Sequence, residues 1–288
     1  MRLALIGCGL IGGSLASAWR AAGIATEIVV FDRSRAACET AVAMGVADEI
    51  AASPAQAVRG AEWVLLAVPV GAMAEVFAAI APELTEHAVV SDVGSTKSSV
   101  IEAARTHLGA AIARFVPAHP IAGGELPGVE YSNPELFDGR LAITTPIEST
   151  DPAALEQVEE AWRATGARVL RMGCEVHDGV FAAVSHLPHL LAFALVAQIA
   201  AEDDAQAKLG FAGAGFRDFT RIAASSPVMW RDICLANRAA LSRELSAYRG
   251  QLDQLQAALD AGDADRLQAC FELASRTRRR FGVPCDAE

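Results

Sequence analysis

The chain has 288 residues, 52% of them hydrophobic and 20% charged, a length and composition suited to two domains with real cores and not to a disordered tract. Acidic residues exceed basic ones, 35 − 24 = 11, the reverse of the balance needed to grip nucleic-acid phosphates or an anionic membrane. The six cysteines (Cys8, Cys38, Cys174, Cys234, Cys270 and Cys285) show neither a CxxC pair nor zinc-ligand spacing and read as incidental thiols of a reducing compartment.

The first residues, Met1-Arg2-Leu3-Ala4-Leu5-Ile6-Gly7, run straight into a strand and a glycine turn, too short an apolar run for a signal peptide, so a cytoplasmic protein is expected. Strand patterns follow over 3–6, 27–31, 63–68, 88–91, 114–116, 141–145 and 168–171. Helix starts are marked between them. Ser53-Pro54-Ala55-Gln56 offers a capping serine with proline in the first turn, and Asp151-Pro152 repeats the device. Strand and helix in alternation imply crossover connections, hence a mostly parallel sheet covered on both faces.

After Met172 strand signals stop, and helices are expected over 176–201, 227–247, 252–259 and 264–280. A bend lies at 210–215, a turn at Asp260-Ala261-Gly262-Asp263, and four arginines at 276–280 suit a helix C-terminus exposed to solvent. From Val180 to Ala201 there is no Asp, Glu, Lys or Arg, close to the roughly 20 residues that span a bilayer. Ser185, His186, Pro188, His189 and Gln198 interrupt it and no basic cluster flanks it, so it reads as a buried interdomain or dimer-core helix.

Gly7-Cys8-Gly9-Leu10-Ile11-Gly12 stands between the first strand and the first helix, with Asp32 closing the second strand twenty residues after Gly12. In a dinucleotide site Gly7 makes the tight turn, Gly9 admits the pyrophosphate, and Gly12 lets helix and sheet pack closely. Phosphates then meet the free N–H groups and positive end of the helix. A carboxylate at Asp32 holds the ribose hydroxyls and repels a 2′-phosphate, favouring NAD; Arg33 either pairs with such a phosphate, stacks on the adenine or faces solvent. Val68-Pro69 ends a strand at the carboxyl edge of the sheet, where ligands bind. The expected cofactor contacts are therefore Gly7, Gly9, Leu10, Ile11, Gly12, Asp32, Arg33, Val68 and Pro69. Ser91 to Lys97 ends the next strand at the same edge, as a ligand loop or as a turn plus helix cap. His119-Pro120 follows strand 114–116 there, where a neutral imidazole is a natural base for a hydroxyl proton near pH 7.

Five stretches then stand in order: Gly7–Gly12; Asp92-Val93-Gly94-Ser95-Thr96-Lys97; His119–Glu125 with Gly128-Val129-Glu130-Tyr131-Ser132; Ser185-His186-Leu187-Pro188-His189; and Asp218-Phe219-Thr220-Arg221-Ile222-Ala223. Over almost the whole chain this set resembles the prephenate/arogenate (cyclohexadienyl) dehydrogenases of tyrosine biosynthesis. The resemblance implies an NAD-dependent oxidative decarboxylation of prephenate to 4-hydroxyphenylpyruvate, or of arogenate to tyrosine. Hydride leaves the hydroxyl-bearing carbon and carbon dioxide the opposite one. Aromatisation drives the step, so no metal is expected; His186 and His189 at i, i+3 gain no third ligand from their apolar surroundings.

By the same resemblance His119 is the base, Ser95 hydrogen-bonds in the site, and Arg221 binds a substrate carboxylate, although by sequence alone Arg221 is equally a surface ion pair. His189 is expected to line the pocket, His186 to line it or to sit satisfied in the core, and Glu125 and Trp230 to be weaker pocket residues, Trp230 also fitting a plain core role. The family often has Gly-Thr-Glu after the catalytic histidine, and Gly124 here replaces the threonine, which argues against direct tyrosine inhibition at this point. No appended regulatory domain or preceding chorismate mutase segment is expected.

Two rivals were weighed. A β-hydroxyacid dehydrogenase needs a lysine on the interdomain helix, but the chain has only Lys97 and Lys208. A non-catalytic NAD-sensing module is the other. The apolar helical half implies a homodimer, as in the resembling family, with neither nucleic acid nor membrane as partner. The expected architecture is α/β: an N-terminal Rossmann-type, mostly parallel sheet domain (1–173), then an all-α substrate and dimerisation domain (174–288).

Overall fold

Five apolar runs and the two-residue strand Glu49–Ile50 pair side by side, because the apolar runs must bury backbone and side chains at once. In the computed structural model, which describes residues 1–124 and 126–280, these are β1 (Arg2–Ile6), β2 (Glu27–Phe31), β3 (Glu49–Ile50), β4 (Trp63–Leu66), β5 (Val89–Asp92) and β6 (Phe115–Val116). They form one parallel sheet in the order β3-β2-β1-β4-β5-β6. Successive residues of β1 serve opposite faces: Leu3 and Leu5 join one core with Trp19, Trp63 and Trp162, while Ala4 and Ile6 join the other with Phe77, Val90 and Phe115. Helices cover both faces, so the central strands are apolar throughout and do not alternate. The strand order reverses between β1 and β4, opening a crevice at their carboxyl ends.

A second, three-stranded sheet sits beside the first. Its strands are β7 (Ala118–Pro120), β8 (Leu141–Thr144) and β9 (Arg168–Arg171), antiparallel between β7 and β8 and parallel between β8 and β9. The runs at 141–145 and 168–171 thus leave the main sheet. Two strands had no sequence signal, β3 because it is two residues long and β7 because Pro117 and Pro120 bracket it. The run at 63–68 stops at Leu66, and Ala67 adds a last hydrogen bond to the Ile6 carbonyl at 2.7 Å before the chain turns.

Beyond β9 the chain is helical. One long helix comprises Cys174–Phe181, a π-turn at Ala182–His186 and Leu187–Ala200. Pro188 has no N–H to give and its ring crowds the carbonyl four residues back; the wide turn relieves this, with Leu187 N–H reaching the Ala182 carbonyl. By length and composition alone this helix could cross a bilayer, yet His177, Asp178 and His186 within it are buried in contact with the sheet half. Val176, Val180 and Val184 on it are 60%, 42% and 67% exposed, an apolar stripe that the described residues leave uncovered.

The helix expected over 227–247 is broken at Asn237, and the break expected after Ala247 is absent. Asn237 turns inward to donate to the Asp178 carbonyl at 2.7 Å, ending the helix Pro227–Ala236. The helix Arg238–Ala261 then runs through Gly250, whose cost of about 1 kcal/mol is too small to stop it. The last described helix is Ala264–Arg280. Two compact units result, Met1–Ala240 and a second beginning at Leu241, so the first holds both the sheets and the helices up to Ala236.

The glycine-turn helix Leu10–Ala21 is anchored by Trp19, wholly buried, edge-on to Trp63 and Trp162 with its indole N–H on the Ala161 carbonyl at 3.0 Å. Trp19→Ala is expected to cost about 3–5 kcal/mol in urea unfolding, and Trp19→Phe distinctly less; equal losses would mean that ring volume is not what anchors the helix.

Candidate active site

The turn after β1 is shaped by what cannot fit there. Gly7 has φ +97°, and a Cβ on it would lie 2.4 Å from the Ala67 carbonyl oxygen. A Cβ on Gly12 would lie 2.4 Å from the Gly7 oxygen and 2.8 Å from the Ala67 side chain, so this glycine lets the helix lie on the sheet. Around Gly9 the space is open. Leu10 and Ile11 form the first helical turn, which has no side-chain cap and no acidic residue. Such a helix start presents N–H groups and a positive dipole end to an anion. Asp32 accepts the Cys8 and Ser34 N–H groups, both at 2.8 Å, which fixes its carboxylate beside the turn. Arg33 is exposed, Val68 half-buried and Pro69 exposed at the same edge. These residues fit a dinucleotide: an uncapped helix start for the pyrophosphate and an oriented carboxylate for a ribose. Burial pushes the Cys8 thiol up to about 12, so it stays protonated within the turn.

The β5 loop is sewn to the strand carrying His119. Asp92 accepts from Gly94 N–H at 2.8 Å and Ala118 N–H at 3.2 Å, and it pairs with the fully buried Lys97, whose ammonium also donates to the Ala118 carbonyl at 2.6 Å. Ser95 lies half-buried in this loop. Beyond His119 the chain returns to the glycine turn. A Cβ on Gly124 would sit 2.9 Å from Leu10 Cδ2, so a threonine at 124 requires Leu10 to move. Farther on, Asn133 N–H donates to the Ser14 hydroxyl at 2.9 Å. Glu125 lies outside the described residues.

His119 is the first of a line of imidazoles. Its Nδ1 is 2.8 Å from His177 Nε2, and His177 Nδ1 is 2.9 Å from Asp178 Oδ1. The Phe181 ring packs edge-on to His119 and tilted against His177, with centroids 4.8 and 4.6 Å away. Asp178 also accepts the main-chain N–H groups of Lys97 at 2.8 Å and Ser98 at 2.9 Å. Burial holds His119 well below the usual imidazole range, helped by the positive Lys97 and by His177 and His186. Burial also lowers His177, against the opposing pull of Asp178. For Asp178 itself, burial works upward but the donors from His177, Ser98 and Lys97 outweigh it and bring the carboxyl to about 2. His119 is therefore a neutral imidazole, joined through His177 to an ionised carboxylate.

A second group completes the wall. His186 is 1% exposed, its Nδ1 is 3.1 Å from Asn237 Nδ2, and its Nε2 makes no hydrogen bond of full geometry, although the Ser95 main chain lies near enough to act on the ring. An amide nitrogen can only donate, so Nδ1 accepts and Nε2 carries the proton. Trp230 Nε1 is buried without a partner. The two rings stand 6.1 Å apart, and His189 stacks on Trp230 at 3.6 Å while its Nδ1 meets the Ser185 carbonyl at 2.9 Å. Burial lowers His189, and the positive Arg221 nearby adds to this. Arg221 is exposed, at the start of the 3-10 turn Arg221–Ala224. A buried N–H donor without a partner, as on Trp230, is costly unless something polar meets it, so this wall suits a ligand that carries oxygens. The expected residues His119, His186, His189, Trp230 and Arg221 are thus brought into one neighbourhood.

The sequence gives no place in the site to His177, Asp178 or Asn237, and it places Asp92 and Lys97 in the β5 loop motif without a role. Lys97 did carry a signal, being one of two lysines in a chain that otherwise uses arginine. The adjacent His177-Asp178 carried a weaker one.

A parallel sheet of this order, with a glycine turn at its reversal point and reactive imidazoles at the same edge, belongs to the dinucleotide-dependent oxidoreductases. Residues 15–171 match the family model of the prephenate dehydrogenase nucleotide-binding domain and residues 173–273 that of its dimerization domain. The chain is 36% identical to a cyclohexadienyl dehydrogenase of Zymomonas mobilis, over 96% of this chain and 94% of that protein. It is 36% identical to a Bacillus subtilis prephenate dehydrogenase, over 95% and 74%. It superposes with TM-score 0.89 and 34% identity on the prephenate dehydrogenase of Aquifex aeolicus solved with hydroxyphenyl propionate and NAD+, covering 97% of this chain and 98% of that one. The chain belongs to the prephenate dehydrogenase family.

Burial pushes His186 down to about 4 in the fold, whereas an unfolded imidazole titrates near pH 6.5. Between these values the unfolded chain binds the extra proton, so stability falls as pH drops, on the order of 2 kcal/mol at pH 5 from this residue alone. His119 adds in the same direction, and Asp178 begins to do so below about pH 4. The urea midpoint is expected to be clearly lower at pH 5 than at pH 7.5; an unchanged midpoint would contradict buried neutral imidazoles.

Proposed function

We propose that the protein catalyses the NAD-dependent oxidative decarboxylation of prephenate to 4-hydroxyphenylpyruvate. The observation that carries this reading is the half-buried His119, held well below the usual imidazole range, on a segment that returns to the uncapped glycine turn. The names and ligands of the relatives supply the substrate class.

His119 takes the ring-hydroxyl proton as the hydroxyl-bearing carbon loses its hydride. NAD, when bound, is the hydride acceptor. Loss of carbon dioxide from the opposite ring carbon makes the ring aromatic, and the borrowed proton returns from His119 to the ring oxygen, so no net proton is released. Ser95 hydrogen-bonds within the site, and Asp92 and Lys97 hold the β5 loop against the strand carrying His119. Arg221 takes a substrate carboxylate, a role suited to a planar guanidinium. His186 and Trp230 offer N–H groups to substrate oxygens, and His189 stiffens Trp230 by stacking. Gly7, Gly9, Leu10, Ile11 and Gly12 receive the pyrophosphate, Asp32 the adenosine ribose, with Arg33, Val68 and Pro69 at its margin. The active species is a homodimer that covers the exposed stripe Val176, Val180 and Val184.

The test is NADH formation, followed by absorbance, with prephenate and with arogenate compared by kcat/KM. Turnover of prephenate is expected, with NAD preferred over NADP; turnover of neither acid would overturn the reading. A relative that carries the broader cyclohexadienyl name makes measurable arogenate turnover a second outcome compatible with it.

His119→Asn is expected to lower kcat by ~10²–10⁴, the usual size of a general-base effect; near-wild-type turnover would remove His119 from that role. Arg221→Ala is expected to raise KM for prephenate by about tenfold or more with a smaller change in kcat. An unchanged KM would return Arg221 to the surface.

A further inference from the structure

An imidazole has two nitrogens, and only the one without hydrogen can serve as a base. Which one that is in His119 is decided by the groups behind it. The line begins at Asp178, 4% exposed, which accepts the main-chain N–H groups of Lys97 and Ser98 and so is held as an acceptor. His177 Nδ1, at 2.9 Å, must therefore be its N–H partner. A neutral His177 then has a bare Nε2, and that nitrogen lies 2.8 Å from His119 Nδ1. His119 Nδ1 must donate, which leaves His119 Nε2 bare.

We propose that His177 and Asp178 are a positioning pair that locks His119 in its Nδ1–H form, so that Nε2 is the nitrogen that takes the substrate proton. The proposal rests on the reading of His119 as the base and adds how that base is prepared. Neither residue need touch substrate. His177 is fully buried, and the Phe181 ring holds both imidazoles from one side, so neither can flip without disturbing the other. The same arrangement steadies the transition state, because the positive charge that forms on His119 points its Nδ1–H at an acceptor chain ending in a carboxylate. The logic is that of the aspartate behind the histidine in a serine-protease triad, with one more imidazole inserted.

The charged and titratable neighbours support this polarity. Lys97 from the β5 loop and His186 from the π-turn both disfavour a resting charge on His119, and Asp178 is the neighbour that favours one. Lys97 and Asp92 from the β5 loop act in opposite senses on His177, whose direct partner is Asp178. Burial favours neutral imidazoles at rest, and with His177 neutral and Asp178 ionised the Nδ1–H form of His119 is the one that fits every distance in the line.

The test reads the tautomer directly. In protein labelled with ¹⁵N-histidine, long-range ¹H–¹⁵N spectra distinguish Nδ1–H from Nε2–H forms, and His119→Asn identifies the His119 signals among the six histidines by their loss. At pH 7.5 wild-type His119 is expected in the Nδ1–H form. His177→Leu, which cannot accept, is expected to lose that single form and to lower kcat about 10- to 100-fold with KM for prephenate changed less than about threefold. His177→Gln can keep the polarity, its amide N–H toward Asp178 and its oxygen toward His119, and is expected to retain the Nδ1–H form and kcat within about fivefold of wild type.

A wild-type His119 protonated on Nε2 would overturn the proposal, as would a His177→Gln enzyme as slow as His177→Leu, or a His177→Leu enzyme with normal tautomer and rate. Should the leucine variant not fold, the wild-type spectrum and the glutamine variant still decide. The spectrum is taken on the enzyme without substrate, so it stands apart from the activity assay: no NADH formation from either acid would sink the proposed reaction and leave the tautomer result as it was.

Discussion

The buried carboxylate of Asp178 is the constraint on which the site is built. An ionised group taken out of water is expensive unless donors surround it. Here they come from Lys97 and Ser98 at the start of the helix Ser98–His107, and from His177 beside it in sequence. Its own main-chain carbonyl receives Asn237. One residue thus joins the helix after β5, the long apolar helix and the helix Pro227–Ala236, and points its remaining influence at His119. Were it neutral, the helix start would lose an anion that its dipole favours, and the imidazole line would lose its direction.

Asp92 and Lys97 do for the β5 loop what Asp178 does for the helices. A lysine with no exposure is rare because its ammonium must shed water. Burial lowers its pKa, while Asp92 opposes this and the Ala118 carbonyl takes one of its hydrogen bonds. Asp92 in turn holds Ala118 N–H, so both main-chain groups of the residue before His119 are fixed by one ion pair. The positive charge also serves the chemistry, since Lys97 is among the causes that keep His119 uncharged and ready to accept a proton.

The long helix combines two environments. Toward the sheets it presents His177, Asp178 and His186, each buried and hydrogen-bonded, while Val176, Val180 and Val184 stand exposed. Val176, Val180 and Val184 recur every four residues along one face, while His177 and Asp178, one and two residues after Val176, point roughly a quarter to a half of a turn away. Reactive polar groups and an apolar stripe can therefore share one segment that, read by composition alone, resembles a membrane span.

Much of this was written in the order of residues. The glycine turn, Asp32, the strands 27–31 and 168–171, and the motif around His119 depend on local geometry and nearby spacing, so the sequence declares them without knowledge of the rest. The second sheet, the break at Asn237 and the line His119–His177–Asp178 depend on groups far apart in the chain: His119 and His177 are separated by 58 positions, and Asp178 and Lys97 by 81. No periodicity or propensity encodes such a meeting. The sequence by itself determined the cofactor turn, the strand–helix alternation and His119 as the candidate base; tertiary structure alone decided that His177 and Asp178 stand behind it, because hydrogen-bond partners meet in space and not along the chain.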